Sequence, residues 1–171
     1  MIPLDRKDYI TLRSNVENRE EKETKIIQKL EPFINGKVGM YVPIKGEVNC
    51  FDEFKRYKQL YLPIVEDEQT MNFYKFKGKL YRGKFNTYEP SNKIKIEPLD
   101  LDVILVPMVG FYKMYRMGYG KGYYDRYLKQ TKAIKIGVAF DCQKMDSMTI
   151  KKSDVAMDLI ITESKTIWKQ D

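Results

Sequence analysis

The chain has 171 residues, enough for one sizeable domain that buries roughly 70% of the surface its unfolded form exposes. Hydrophobic residues at 43% and charged residues at 32% match a soluble globular chain, and no apolar run approaches the roughly 18 residues a membrane span needs. Thirty-one Lys and Arg against 24 Asp and Glu leave a net charge of +7, compatible with anionic ligands, while the lack of any histidine excludes Ser-His or Cys-His nucleophilic chemistry and His-ligated metals.

The N-terminus, MIPLDRKDYI, turns charged at once and shows no signal peptide, so a cytoplasmic protein is expected. From Arg6 to Leu30 the chain is charged, with apolar positions at Ile10, Leu12, Val16, Ile26, Ile27 and Leu30 and a Glu21–Lys25 pair at i,i+4. One or two helices ending at Pro32 are predicted. Lys37 to Pro43 places Val38, Met40 and Val42 on one face of a strand. Phe51, Phe54 and Tyr57 at three-residue spacing predict a short helix capped by Asn49. QLYLPIV and TMNFYKF read as further strands. The continuous run Val103 to Val106 marks a strand buried on both faces, and Ala133–Phe140 and Leu159–Thr162 are two more β-branched runs. Strands alternating with helical segments predict a single-domain α/β layered fold, residues 1–171, with a largely parallel central sheet flanked by helices. Cys50 and Cys142 stand far apart and outside metal or redox spacing.

Ligands of such sheets gather at the carboxyl ends of the strands, where the loop from Met108 to Gly122 is expected. Within it, RMGYGKGYYDRYL sets glycines at 118, 120 and 122 before a predicted helix at Tyr123. The glycines allow positive φ and close approach of backbone N–H groups, which suits phosphate, and Arg116 and Lys121 add positive charge. The dinucleotide fingerprint fails because position 123 is Tyr123, although Asp141 follows at a suitable distance. The P-loop fails because Lys121 is followed by Gly122 and not by a hydroxyl residue. Asp125 beside a phosphate would repel it unless a cation lies between. Mg²⁺, which takes one or two carboxylates plus substrate phosphates, removes the conflict. The loop therefore reads as a nucleotide–Mg²⁺ site, with Tyr123 and Tyr124 offering a ring and a hydroxyl.

VPMVGFYKMYRMGYGKGYYDRYL, Val106 to Leu128, resembles the signature of the 5-formyltetrahydrofolate cyclo-ligase (methenyltetrahydrofolate synthetase) family. YVPIKGEV (Tyr41 to Val48), Leu62–Pro63, Met71 to Phe73, Glu89–Pro90, IGVAFDCQ and the Asp154 to Thr162 segment follow in the family's order, so the resemblance spans nearly the whole chain. It implies an ATP- and Mg²⁺-dependent ring closure of 5-formyltetrahydrofolate, with or without a polyglutamate tail, to 5,10-methenyltetrahydrofolate, releasing ADP and phosphate. By the same resemblance the ATP-binding residues are Arg116, Met117, Gly118, Tyr119, Gly120, Lys121, Gly122, Tyr123 and Tyr124, with Arg6 and Lys7 as N-terminal candidates. Arg116, Lys121 and Tyr124 are the expected catalytic groups. Asp125 and Asp154 are the implied metal ligands, and Val42 and Glu47 the implied folate-side residues. On residues alone, Glu47 reads as a turn residue and Asp154 as a surface acid.

The sequence departs from the family pattern at Ile2, where a lysine is usual, at Tyr112 for an aspartate, and at Ser153 for a histidine. A monomer with no nucleic-acid or membrane partner is expected. Two other readings stay open at this point: a basic nucleic-acid-binding module using its 13 tyrosines, and another small kinase-like enzyme built on the same loop.

Overall fold

A computed structural model of the protein describes residues 2–84, 87–91 and 93–170. The N-terminal charged region forms two helices, α1 (Arg6–Ser14) and α2 (Arg19–Leu30), followed by a 3₁₀ turn over Glu31–Phe33 that contains Pro32. Asp5 caps α1 with a reciprocal box, its carboxylate accepting from Asp8 N–H while Asp8 accepts from Asp5 N–H. The Glu21–Lys25 pair forms at 3.5 Å, both ends exposed, a small contribution. After Asn49, α3 (Phe51–Phe54) is a single turn. Asn49 Oδ1 accepts from Asp52 N–H at 3.2 Å, so the predicted cap acts one residue outside the helix boundary.

Eight strands build the central sheet, in the order β12 (Thr166–Trp168), β11 (Leu159–Ile161), β10 (Ile134–Val138), β7 (Val103–Pro107), β1 (Val38–Gly39), β2 (Leu60–Val65), β3 (Met71–Lys75) and β6 (Lys95–Ile96). The central pairings, β11–β10, β10–β7, β7–β1 and β1–β2, are parallel, whereas β12–β11, β2–β3 and β3–β6 are antiparallel. The sheet is thus mixed and mostly parallel, as expected of α/β layering. Strand β1 is shorter than predicted, although its line continues one residue further through Met40 N–H donating to Tyr61 O at 3.0 Å.

β7 shows why the fold is layered. Val103 and Leu105 face one core with α2 and α3, through Ile26, Leu30 and Phe51; Ile104 and Val106 face the other, with Tyr127 and Leu128 of α4 (Tyr123–Leu128). All five residues of β7 are buried, so the strand needs apolar side chains in both directions. Two short hairpins were not anticipated: β4 (Leu80–Arg82) with β5 (Tyr88–Pro90), and β8 (Gly110–Tyr112) with β9 (Tyr115–Met117). The second corrects the expectation of a plain loop from Met108 to Gly122. Its turn runs through Lys113 at φ 54°, without the Asn-Gly signal that usually announces such a hairpin. No helix among the described residues is long and apolar enough to cross a membrane.

Candidate functional site

The β8–β9 hairpin returns the chain to the carboxyl end of β7, where Val109 N–H donates to Met117 O at 2.8 Å. The glycine loop then runs into α4, with Gly120 at φ 92° and Gly122 at φ 74° as the helix cap. Both positions lie in the left-handed region, which disfavours any residue with a β-carbon. Among the described residues, the N–H groups from Gly118 to Gly122 donate to no protein acceptor, which leaves them free for an external one. Gly120 and Lys121 are exposed.

Three arginines hold this loop. Arg6 on α1 donates from Nε to Gly118 O at 2.7 Å. Arg116 donates from Nε to Pro107 O at 3.0 Å, lies 5.0 Å over the Tyr124 ring, and carries its guanidinium under Gly118. Burial pushes the Arg116 guanidinium below its ordinary value, opposed by Tyr124, Asp125 and Glu47. Arg13 is fully buried, and sequence reasoning passed over it. It donates from Nε to Lys45 O at 2.9 Å, from one terminal nitrogen to Met108 O at 2.8 Å, and from the other to the Tyr119 hydroxyl. Its seven-residue spacing from Arg6 returns to the same helix face, but Arg6 is exposed, so nothing in that interval marks Arg13 as buried. Buried Gln143 adds a second tie, donating to Met108 O at 2.6 Å and Val109 O at 3.1 Å.

Glu47 is 5% exposed and lies against this assembly. Its Oε1 accepts from Ile44 N–H at 2.9 Å and its Oε2 from the Tyr119 hydroxyl at 3.2 Å. The turn expected from the residues alone is present, since Glu47 N–H donates to Ile44 O at 3.0 Å. Burial raises the Glu47 carboxyl above its ordinary value, opposed by the Ile44 N–H, Arg13 and the Tyr119 hydroxyl. Burial, with the Glu47 charge next, pushes Tyr119 up to about 12, so its hydroxyl keeps its proton. Tyr124 is raised in the same way, by burial and then Glu47. Val42 is half-buried and packs against the core cluster that includes Tyr41 and Val48.

The two tandem tyrosines part company. Tyr123 turns to the β2–β3 connection, its hydroxyl donating to Asp67 O at 3.2 Å under the Arg126 guanidinium. Tyr124 is the one that meets Arg116. Lys7, roughly 100° round α1 from Arg6, is exposed and makes no hydrogen bond or ion pair to the loop. Asp125 and the Asp154 segment do come together: Asp125 Oδ1 accepts from Val155 N–H at 3.3 Å. Asp154 is half-buried and caps its own turn, accepting from Lys151 N–H at 2.8 Å. Among the described residues no cluster of three or more His, Cys, Asp or Glu forms. A pair of hard oxygen donors fits Mg²⁺ held partly by phosphates better than a cation needing an all-protein cage.

Cys50 is buried and Cys142 half-buried, and burial raises both thiols. A hollow of about 420 Å³ opens at the opposite, amino end of β1, β7 and β10, between Phe33, Asp102 and Ile134. Its one carboxylate, Asp102, already accepts from Lys37 N–H at 2.8 Å, so the convergent chemistry lies at the glycine loop and not there.

A sequence model of the 5-formyltetrahydrofolate cyclo-ligase family matches residues 4–163. The chain belongs to the 5-formyltetrahydrofolate cyclo-ligase family. Curated relatives include the 5-formyltetrahydrofolate cyclo-ligase of Mycoplasma pneumoniae, 36% identical over 82% of this chain and 84% of that one. That of Mycoplasma genitalium is 33% identical over 91% of this chain and 94% of that one. Among solved structures, the Aquifex aeolicus 5,10-methenyltetrahydrofolate synthetase superposes with a TM-score of 0.81 at 34% identity, covering 97% of this chain and 91% of that one. The chain is an enzyme of folate and one-carbon metabolism, a cyclo-ligase, and the family's ATP dependence and substrates, 5-formyltetrahydrofolate and ATP, come with membership.

Proposed function

We propose that ATP binds along Arg116 to Tyr124, that the folate meets Glu47 and Val42, and that the two are joined where Tyr119 touches Glu47. The observation that carries this reading is that last contact. It links a glycine-loop residue to a carboxylate 72 positions away, at the end of a sheet where α/β ligands gather. In this reading the formyl oxygen takes the γ-phosphoryl group and ADP leaves. N10 of the folate then attacks the activated formyl carbon, phosphate departs, N10 gives up its proton, and the five-membered ring closes.

Such chemistry needs positioning and charge stabilisation more than a protein nucleophile, which agrees with a site lacking histidine. The free loop N–H groups and the cations of Arg6, Arg116 and Lys121 suit a triphosphate, with Arg116 and Lys121 beside the transferring group. Tyr124 supports Arg116 by its ring. Because α4 has six residues, backbone donors and side-chain cations carry more of the phosphate affinity than a helix dipole. Asp125 and Asp154 would hold Mg²⁺, which would neutralise phosphate charge. Glu47, with two oxygens each engaged once, keeps lone pairs for pterin N–H donors.

The test is direct: purified protein mixed with Mg·ATP and 5-formyltetrahydrofolate is followed by methenyl-folate absorbance. An ATP KM raised in Gly120→Val and a folate KM raised in Glu47→Gln, with product still dependent on all three components, support this placement. Unchanged constants in those variants would overturn it.

A further inference from the structure

Arg13 joins three segments through one guanidinium: the turn that carries Glu47, by Lys45 O; the carboxyl end of β7, by Met108 O; and the glycine loop, by the Tyr119 hydroxyl. The ion pairs among the described residues involve Arg19, Lys22, Lys25 and Lys55, so Arg13 has no carboxylate in direct contact. Its countercharge reaches it across a hydroxyl. Tyr119 accepts from Arg13 and donates to Glu47 Oε2, which uses its one donor and leaves an acceptor site to spare.

We propose that Tyr119 and Arg13 are positioning residues that couple the two substrates, the Tyr119 hydroxyl tying the orientation of Glu47 to the conformation of the loop that receives the nucleotide. This rests on the reading that Glu47 serves the folate and the loop serves ATP. Tyr119 sits between Gly118 and Gly120 with its side chain turned into the protein, its ring flanked by the Arg13 guanidinium at 5.6 Å and Lys45 Nζ at 5.2 Å. A main-chain shift on phosphate binding therefore moves the hydroxyl with it. At 3.2 Å this contact is already longer than the usual O–H···O span of about 2.5–3.0 Å, so a shift of about half an ångström tightens or breaks it. Glu47 Oε1 is held separately by Ile44 N–H, which leaves the carboxylate free to pivot about that oxygen until Tyr119 fixes the other. Ordering the loop with nucleotide thus presents Glu47 in one orientation. By linkage, nucleotide tightens folate binding and folate tightens nucleotide binding by the same factor.

Tyr119→Phe deletes the hydroxyl and keeps the ring between Arg13 and Lys45. The measurement is the dissociation constant of 5-formyltetrahydrofolate for the full-length protein, with and without a saturating non-hydrolysable ATP analogue and Mg²⁺. The wild-type ratio is expected to be about tenfold, within the usual span of coupling, and to approach one in Tyr119→Phe. Arg13→Lys, which keeps the charge but cannot hold three acceptors in one plane, is expected to lower the ratio too. A wild-type ratio near one, or a wild-type ratio preserved in both variants that fold by thermal melt, overturns the coupling. Glu47→Gln separates the two failures: unchanged folate affinity in that variant overturns the placement of folate at Glu47. Weakened affinity there, with the ratio intact in the other two, overturns the coupling alone.

Discussion

Arg13→Met is the sharpest stability test the structure offers. The side chain is 0% exposed and all three of its bonded nitrogens donate to protein groups. Hydrogen bonds to a charged group contribute about 1.5–3 kcal/mol each, and a buried carbonyl left without a donor costs about 1–3 kcal/mol. Two terms oppose this. Methionine recovers about 1.5–3 kcal/mol by burial, and losing a buried charge relieves its desolvation cost. Removing one member of a buried charged network nevertheless leaves the rest mismatched, here Lys45 O, Met108 O and the raised Glu47 carboxyl, so a net loss of about 3–5 kcal/mol is expected. For a chain of this size each kcal/mol lowers Tm by about 2–4 °C, so the melt should fall by about 6–20 °C. Calorimetry or denaturant unfolding reads this directly. A drop below about 1 kcal/mol would mean that the guanidinium is not the bonded centre described, and the account of the loop would fail with it.

Asp125→Asn should weaken Mg²⁺ binding and lower turnover by orders of magnitude, read by titrating Mg²⁺ in the absorbance assay; full activity at limiting Mg²⁺ would remove Asp125 from the metal site. Gly120→Val meets only ordinary van der Waals contact, with the Arg6 guanidinium at 3.6 Å, but places a β-branched residue at φ 92°. The cost is therefore backbone strain of about 1–2 kcal/mol, a melt lowered by about 2–8 °C, and ATP affinity reduced at least tenfold; unchanged ATP affinity would contradict the loop's role. Glu47→Gln should raise the folate KM about ten- to a hundredfold, the worth of one charged hydrogen bond, and the ATP KM far less. Glu47 also carries a pH signature. Its folded carboxyl is raised by burial, so the folded state takes up the proton first and wild-type stability falls as pH rises from the ordinary carboxylate range through the folded value. The melt of wild type relative to Glu47→Gln should therefore improve on moving from pH 7 towards 4, and an unchanged difference would mean that Glu47 is not desolvated.

Much of this was legible in the sequence because burial on both faces leaves a plain mark. β7, β10 and β11 were visible as apolar runs, and the parallel pairing of β7 with β10 agrees with the helix α4 between them, whereas β10 and β11 pair in parallel across a 3₁₀ turn and irregular chain that carry no helical pattern. The start of α4 was visible because Gly122 and the residues after it carry cap and turn chemistry. What stayed hidden lacks such marks. The β8–β9 turn uses Lys113 in the left-handed region, and β12 is an edge strand with Trp168 exposed, so neither has a pattern to read. Arg13 was hidden for the opposite reason. A charge in a charged helix is expected to face water, and hydrophobic periodicity cannot distinguish an arginine buried on carbonyls from one in solvent. Glu47 was legible as a site residue only through family resemblance, since its local bonds are those of a turn.

Three arginines that look alike in the sequence differ in what their bonds leave free. Arg13 commits Nε and both terminal nitrogens to protein acceptors, so it can shape the site but cannot grip a ligand. Arg6 and Arg116 each commit Nε alone, to Gly118 O and Pro107 O, and among the described residues their terminal nitrogens have no protein hydrogen-bond partner. A guanidinium pinned at Nε keeps its planar fork aimed, so much of the ordering cost of about 0.5–1.5 kcal/mol per side chain is met before a phosphate arrives. Both forks lie at the glycine loop: Arg116 beneath Gly118, and Arg6 within 3.6–3.9 Å of where a Gly120 side chain would begin. Under the proposed placement of ATP, that arrangement would let Arg6 serve where Ile2 stands at the position that the family resemblance assigns to a lysine. A lysine is a point charge on a flexible stem, whereas Arg6, anchored to the loop's own carbonyl, follows the loop and supplies an oriented pair of donors at the same end of the site.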